Sequence, residues 1–144
     1  MEKIALVVSD FNKEITAKME IKAIEVAKKE NLKIIKKVHV SGAYDMPLIV
    51  KFLAEDKNID AIVCIGAIIK GQTDHDKIIA QSLAKTLMEI SLQTNKPILL
   101  GVIGPNATYK HAKKRINDYP TRAILAAKIM IKNIKEVKKW TGKK

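Results

Sequence analysis

His75 is the residue in this chain best set to move protons. It follows Lys70-Gly71-Gln72-Thr73-Asp74, which comes directly after the apolar run Ala61–Ile69. An imidazole changes charge near neutral pH, so it serves as acid or base there. The run reads as a buried strand, and the polar turn after it reads as the start of a helix. Backbone N–H groups at such a start are unpaired, and the helix dipole adds positive potential. Gly71, Gln72 and Thr73 are therefore phosphate-binding candidates. The glycine-lysine-threonine order of a P-loop is absent. Asp74 and Asp76 flank His75 and would orient its ring, raise its pKa, or simply favour a helix start. Phosphate held beside a proton carrier is the chemistry this segment suggests.

Other candidates surround that pair. Tyr44 and Asp45 sit in the turn Ser41–Pro47, where a ring and a carboxylate would stack on and hydrogen-bond a planar polar ligand. Phe11 would supply a second wall, or pack as a hydrophobic staple. Arg115 carries forked donors suited to phosphate, or is a solvated helix arginine. His39 and His111 lack a comparable setting, and the three histidines show no metal-ligand spacing, so no metal is expected. Cys64, the single cysteine, lies within the apolar run and reads as buried and inert. No serine or cysteine nucleophile motif and no dinucleotide glycine fingerprint occurs.

The elements that must position these residues alternate between strand and helix patterns. Ile4 to Ser9 is a β-branched apolar run, followed by a helix to about Asn31 that Asp10 or Asn12 would cap. Ile15, Met19, Ala23, Val26 and Ala27 share one face of that helix. Lys33–Val40 is a second strand, and Pro47 fits the first turn of a helix ending near Ala54. Asp60–Ile69 is a third strand before a helix from about Asp76 to Gln93. Pro97–Ile103 is a fourth strand, which Gly104-Pro105-Asn106 is expected to break. A short helix over Tyr109–Arg115 precedes a last helix running towards Trp140. This order predicts one α/β domain over residues 1–144, with a loose basic tail at 138–144. Its architecture is a three-layer α/β/α, flavodoxin-like four-stranded parallel sheet flanked by helices. Ligands of such sheets bind beyond the carboxyl ends of the strands. Those ends deliver Phe11, the Gly42–Pro47 turn, the Lys70–His75 loop and the Gly101–Asn106 loop to one edge.

Composition narrows the class. The chain has 144 residues, 47% of them hydrophobic, which suits one packed core and argues against disorder. No stretch reaches membrane-spanning length and no signal peptide precedes Ile4, so a soluble, unprocessed cytoplasmic protein is expected. The net charge is +12, yet aromatic residues make up 4% and no basic-aromatic motif appears. The lysines read as a solvated surface, and specific nucleic-acid binding is not expected. The last helix is apolar on nearly all sides around Ala123–Ala127 and Ile129–Ile131. A single sheet face leaves part of it uncovered, which predicts a homo-oligomer.

Four blocks in register resemble the lumazine synthase family over about Ile4 to Ile134. Val8-Ser-Asp-Phe11-Asn12 is similar to the family's first-strand Arg-Phe-Asn block, with Asp10 in place of arginine. Gly42-Ala-Tyr44-Asp45-Met-Pro47 resembles Gly-Ala/Ser-Phe/Tyr-Glu-Ile/Leu-Pro. Gly66-Ala-Ile-Ile-Lys70-Gly71-Gln72-Thr73-Asp74-His75 resembles Gly-x-Val-Ile-Arg-Gly-x-Thr-x-His. Pro97 to Ile103, followed by Arg115, resembles the last strand and its helix.

The resemblance implies a transferase of riboflavin biosynthesis acting on small-molecule substrates without a cofactor. It would condense 5-amino-6-(D-ribitylamino)uracil with L-3,4-dihydroxy-2-butanone 4-phosphate, eliminate phosphate, and close the ring of 6,7-dimethyl-8-ribityllumazine. Phe11 would then stack on the pyrimidine, with Tyr44 and Asp45 along the pyrimidine and ribityl pocket. Ala67, Ile68 and Ile69 would present backbone groups, and Gly71, Gln72, Thr73 and Arg115 would meet phosphate. Arg122 falls where the family has a lysine, and Leu100 where many members have phenylalanine. His75 would be catalytic. Sites of the family lie between subunits of a pentamer, and in some members twelve pentamers form a capsid. The short Asn117–Thr121 connection is as in capsid-forming members. Two alternatives compete: the paralogous riboflavin synthase that dismutates two lumazines, and a nonenzymatic basic RNA-binding module.

Overall fold

The computed structural model describes residues 1–142. Four strands, β1 (Lys3–Ser9), β2 (Lys33–Val40), β3 (Ala61–Ile69) and β4 (Ile98–Ala107), form one sheet. They are all parallel and lie in the order β2-β1-β3-β4. The helices are α1 (Lys13–Lys29), α2 (Met46–Ala54), α3 (His75–Thr94), α4 (Tyr109–Lys114) and α5 (Asp118–Thr141). The three-layer architecture expected from the alternating pattern is the one observed.

The central strands explain the layers. Ile4 through Ser9 and Ala61 through Ala67 are buried without interruption. Strands covered on both faces read as unbroken apolar runs. Side chains still alternate: Ile4, Leu6 and Val8 join α1 and α5 in one core, with Ile15, Met19, Ile124 and Ala127. Ala5 and Val7 join α2 and α3 in the other, with Met46, Val50, Leu83 and Leu87. Cys64 belongs to this second core, and burial pushes its thiol pKa up to about 12, so it stays protonated and inert. The edge strand β2 exposes Lys33, Lys36 and Lys37, charges that blunt an open edge.

Chain order sets a switch point. The connection through α1 runs from β1 to β2 on one side, and the next strand, β3, lies on the other side of β1. The loops leaving β1 and β3 therefore diverge and open a crevice between them.

Three expectations need correction. Gly104-Pro105-Asn106 does not break the fourth strand, which continues to Ala107. The ladder with β3 slips between Ala67 and Ile69, and Ile69 then pairs with Ala107. Proline is tolerated because β4 is an edge strand, where the missing N–H faces no partner. Asn12 does not cap α1 with its side chain; it sits at φ 62° and its amide nitrogen donates to the Ala67 carbonyl at 2.9 Å. Finally, α5 continues to Thr141, so residues 138–141 of the expected loose tail form its last turn. Residues 143–144 lie outside the described residues.

Gly104 is required where β4 bulges over β3. Its φ is +118°, and an added Cβ would lie 2.6 Å from the Ile68 carbonyl oxygen. Gly104→Ala is expected to destabilise the fold by more than about 1 kcal/mol. The corresponding fall in thermal midpoint is about 3 °C or more, measured by circular dichroism.

Candidate active site

The crevice at the switch point holds a cavity of about 440 Å³, a size suited to a small ligand. The carboxyl end of β1 contributes Ser9 and Phe11; the end of β3 contributes Ala67, Ile68 and Ile69. The turn after β2 adds Gly42, Ala43 and Tyr44, and the loop into α3 adds Gly71, Thr73, His75, Asp76 and Ile79. Sequence-distant candidates thus meet at one place.

Two rings wall the cavity. Phe11 is 69% exposed and Tyr44 is 78% exposed. An aromatic side chain so bare, beside a cavity, has its face available for stacking. Their positions are set by backbone bonds. The N–H groups of Asp10 and Phe11 donate to the carbonyls of Val40 and Ser41 at 2.8 and 3.0 Å, which carries the β1–β2 ladder past the strand ends. Tyr44 rides on a one-turn 3-10 helix, Ala43–Asp45. The Asp45 carboxylate accepts the Gly42 N–H at 3.0 Å and so holds that turn. This directs Asp45 away from the cavity, into a neighbouring open groove with His39, Leu48 and Ile49.

The loop into α3 is rich in unpaired donors. The Lys70 N–H donates to Ala107 at 2.7 Å, and the His75 N–H donates to Thr73 Oγ1 at 3.3 Å. Among the described residues, the N–H groups of Gly71, Gln72, Thr73 and Asp74 between them donate to nothing. They stand at the start of a 20-residue helix. Orphan donors with a helix dipole behind them suit an anion. The Gln72 side chain itself is exposed and does not line the cavity.

His75 is exposed, and its ring makes no hydrogen bond among the described residues. Neither flanking aspartate orients it. Asp74 pairs with Lys77 at 3.6 Å. Asp76 turns inward, where Oδ2 accepts the Asn106 N–H at 3.0 Å. Asp76 falls on the apolar stripe of α3, in line with Leu83, Leu87 and Ile90. That spacing is the sequence signal that it would be buried.

Leu100, Arg115 and Arg122 lie away from this cavity within one chain. Leu100 lines a smaller hollow of about 160 Å³ on the β4 edge, with Val102 and Pro105. Arg115 is exposed at the end of α4. Arg122 pairs with Asp118 at 3.6 Å and lies 5.5 Å from the centre of the Tyr119 ring.

One cluster beside the site was not anticipated. His39 Nδ1 lies 2.7 Å from Asp10 Oδ1, and its Nε2 lies 3.1 Å from Glu20 Oε2. The ring joins β2, the loop carrying Phe11, and α1. The Asp10 hydrogen bond raises the His39 pKa above 6.5; burial opposes this, and Glu20 adds to it. The stabilisation is therefore fully present below pH 6.5 and is lost as pH rises through the folded value. In His39→Gln, stability should vary less between pH 6 and 8 than in the parent, as read by urea melts. Equal pH dependence in the two proteins would show that the bridge contributes nothing.

The family model described as 6,7-dimethyl-8-ribityllumazine synthase matches residues 2–136. A protein of that name from Saccharolobus islandicus is 41% identical over 135 residues, covering 94% of this chain and 88% of its own. Those from Metallosphaera sedula and Methanopyrus kandleri are also 41% identical over 135 residues. They cover 94% of this chain, and 89% and 95% of their own lengths.

Proposed function

The chain belongs to the 6,7-dimethyl-8-ribityllumazine synthase family, and from that premise we propose how its cavity carries out the family's reaction. The substrates are 5-amino-6-(D-ribitylamino)uracil and L-3,4-dihydroxy-2-butanone 4-phosphate, and phosphate is released. The observation that carries this reading is one cavity with three kinds of surface. Two bare rings, Phe11 and Tyr44, suit a planar pyrimidine. The unpaired N–H groups of Gly71–Asp74 suit the phosphate. His75, directly after that loop and with an unengaged ring, suits proton transfer during imine formation and elimination. No cofactor is required, because phosphate is its own leaving group. Holding two reactants side by side supplies much of the acceleration.

The remaining candidates fit an assembled site. Leu100 is exposed on the edge strand β4, Arg115 and Arg122 are exposed around α4 and α5, and Leu125, Ile129 and Met130 of α5 are exposed as well. On the opposite layer, Leu48 and Phe52 of α2 and Met88 and Leu92 of α3 are exposed. Two unlike apolar patches favour head-to-tail contacts that close into a ring. In a pentamer, and in a capsid of twelve pentamers, the arginines of one copy would reach the phosphate end of the next copy's cavity. Asp45 would meet the ribityl chain from the adjoining groove. Among the described residues no helix is long and apolar enough to cross a membrane, and we assign the enzyme to the cytoplasm. Neither lumazine dismutation nor RNA binding has an observation in its favour.

The direct test mixes purified protein with both substrates and follows lumazine absorbance above the uncatalysed rate; no protein-dependent product would overturn the reading. In the same assay, His75→Ala should lower kcat by roughly 10²-fold while leaving pyrimidine binding largely intact. Unchanged turnover would remove the proton-transfer role. Arg115→Ala should raise KM for the butanone phosphate by about tenfold or more, the worth of a charge-assisted hydrogen bond, with little change for the pyrimidine. Equal effects on both would contradict the phosphate contact.

A further inference from the structure

His39 stands outside the cavity, yet it is braced against the segment that carries Phe11. Its Nδ1 lies 2.7 Å from Asp10 Oδ1, and its Nε2 lies 3.1 Å from Glu20 Oε2. Asp10 directly precedes Phe11, and Glu20 lies on α1. A neutral imidazole has one donor and one acceptor, while an ionised carboxylate only accepts. Both contacts are therefore hydrogen bonds only when the ring is an imidazolium. Loss of its proton leaves one carboxylate facing a lone pair. The raised pKa of His39, to which the Asp10 bond contributes most, agrees with this. Other charges nearby do not bond to the ring. Lys37 shares its face of β2 by strand alternation, and Lys13 lies about two turns from Glu20 on α1. Asp45 lines the open groove beside the ring but accepts the Gly42 N–H. On β1 its register partner is the apolar Val8.

The turn from β1 into α1 is tied on several sides. The N–H groups of Asp10 and Phe11 donate to Val40 and Ser41, and the Asn12 side chain reaches the Ala67 carbonyl. Of these ties the His39 bridge alone depends on a proton near neutral pH. We propose that His39 is a positioning residue for the pyrimidine: through Asp10, its cation holds the Phe11 wall in place for stacking. This inference rests on the reaction proposed above, in which Phe11 faces the pyrimidine. With the bridge intact, the turn has less freedom to lose when the ligand arrives. With the ring neutral, Asp10 loses its partner and binding must restore the order. Pyrimidine affinity is therefore highest while His39 is protonated, and it falls as pH rises through the His39 pKa.

Calorimetry tests this on the parent and on His39→Gln, with 5-amino-6-(D-ribitylamino)uracil as ligand. Glutamine keeps a donor for one carboxylate and carries no charge at any pH. Between about pH 6 and about pH 9, the parent's affinity should fall by about tenfold more than that of H39Q, the scale of one charge-assisted hydrogen bond. A general loosening in H39Q weakens binding at both ends of the range and cancels, as does titration of His75 or of the ligand. Inorganic phosphate, bound at the loop after β3, should show no such difference between the two proteins. In an Asp10→Asn background, H39Q should change the pH dependence of pyrimidine binding no further. Equal pH dependence in parent and H39Q overturns the proposal. An equal difference with phosphate overturns it too, since the effect would then be one of overall charge. A full effect of H39Q in D10N overturns the route through Asp10. A parent protein that makes no lumazine overturns the functional reading and this inference together. An active parent with the pH dependence of H39Q removes His39 alone.

Discussion

Everything in this molecule depends on β1 and β3 being covered on both faces. Ile4, Leu6 and Val8 need one helical layer, and Ala5 and Val7 need the other. A parallel strand also needs a crossover to reach its neighbour, and the crossovers are the helices that provide the cover. Once α1 and α5 occupy one face and α2 and α3 the other, the loops leaving β1 and β3 must part. The cavity is the space they leave. It is a consequence of how the core is buried, and its walls are residues whose backbones the sheet already holds.

Rigidity at the cavity floor has a separate origin. β4 approaches β3 so closely at Gly104 that no side chain fits between them. The slipped ladder then brings Ala107 against Ile69 and Lys70. Asn106 reaches Asp76 across the same region, and Asn12 holds the Ala67 carbonyl from the other side. These contacts fix the end of β3 and the start of α3 relative to each other. The loop between them keeps its own N–H groups free, as a site for an anion requires. Strong bonding on both flanks and unpaired N–H groups within the loop is the arrangement expected of a preorganised binding segment.

A single chain presents the pyrimidine-facing half of the proposed site more completely than the phosphate-facing half. The bare rings, the unpaired amides and His75 are together, whereas Arg115 and Arg122 are exposed and do not line this cavity. Exposed apolar residues on both helical layers supply a physical reason for copies to associate.

The sequence by itself determined the layer order, because an unbroken apolar run and a period of 3.6 residues are local signals. It also marked Phe11, Tyr44, Gly71, Thr73 and His75, since each sits at the carboxyl end of a strand pattern. Element ends were less legible. Gly104-Pro105-Asn106 has the composition of a break, yet strand pairing with Ile69 carries β4 through it. Asp10 looked like a helix cap, and only the fold brings His39 within 2.7 Å of it. Asp45 looked like a ligand for the cavity, but its carboxylate closes its own turn on Gly42. Asp76 could be placed on the buried stripe of α3, while its bond to Asn106, thirty residues on, could not. Local patterns report which face of an element is buried. Where a side chain's hydrogen bonds go is decided only when strands from distant parts of the chain are set side by side, because each bond depends on a partner that the local pattern does not contain.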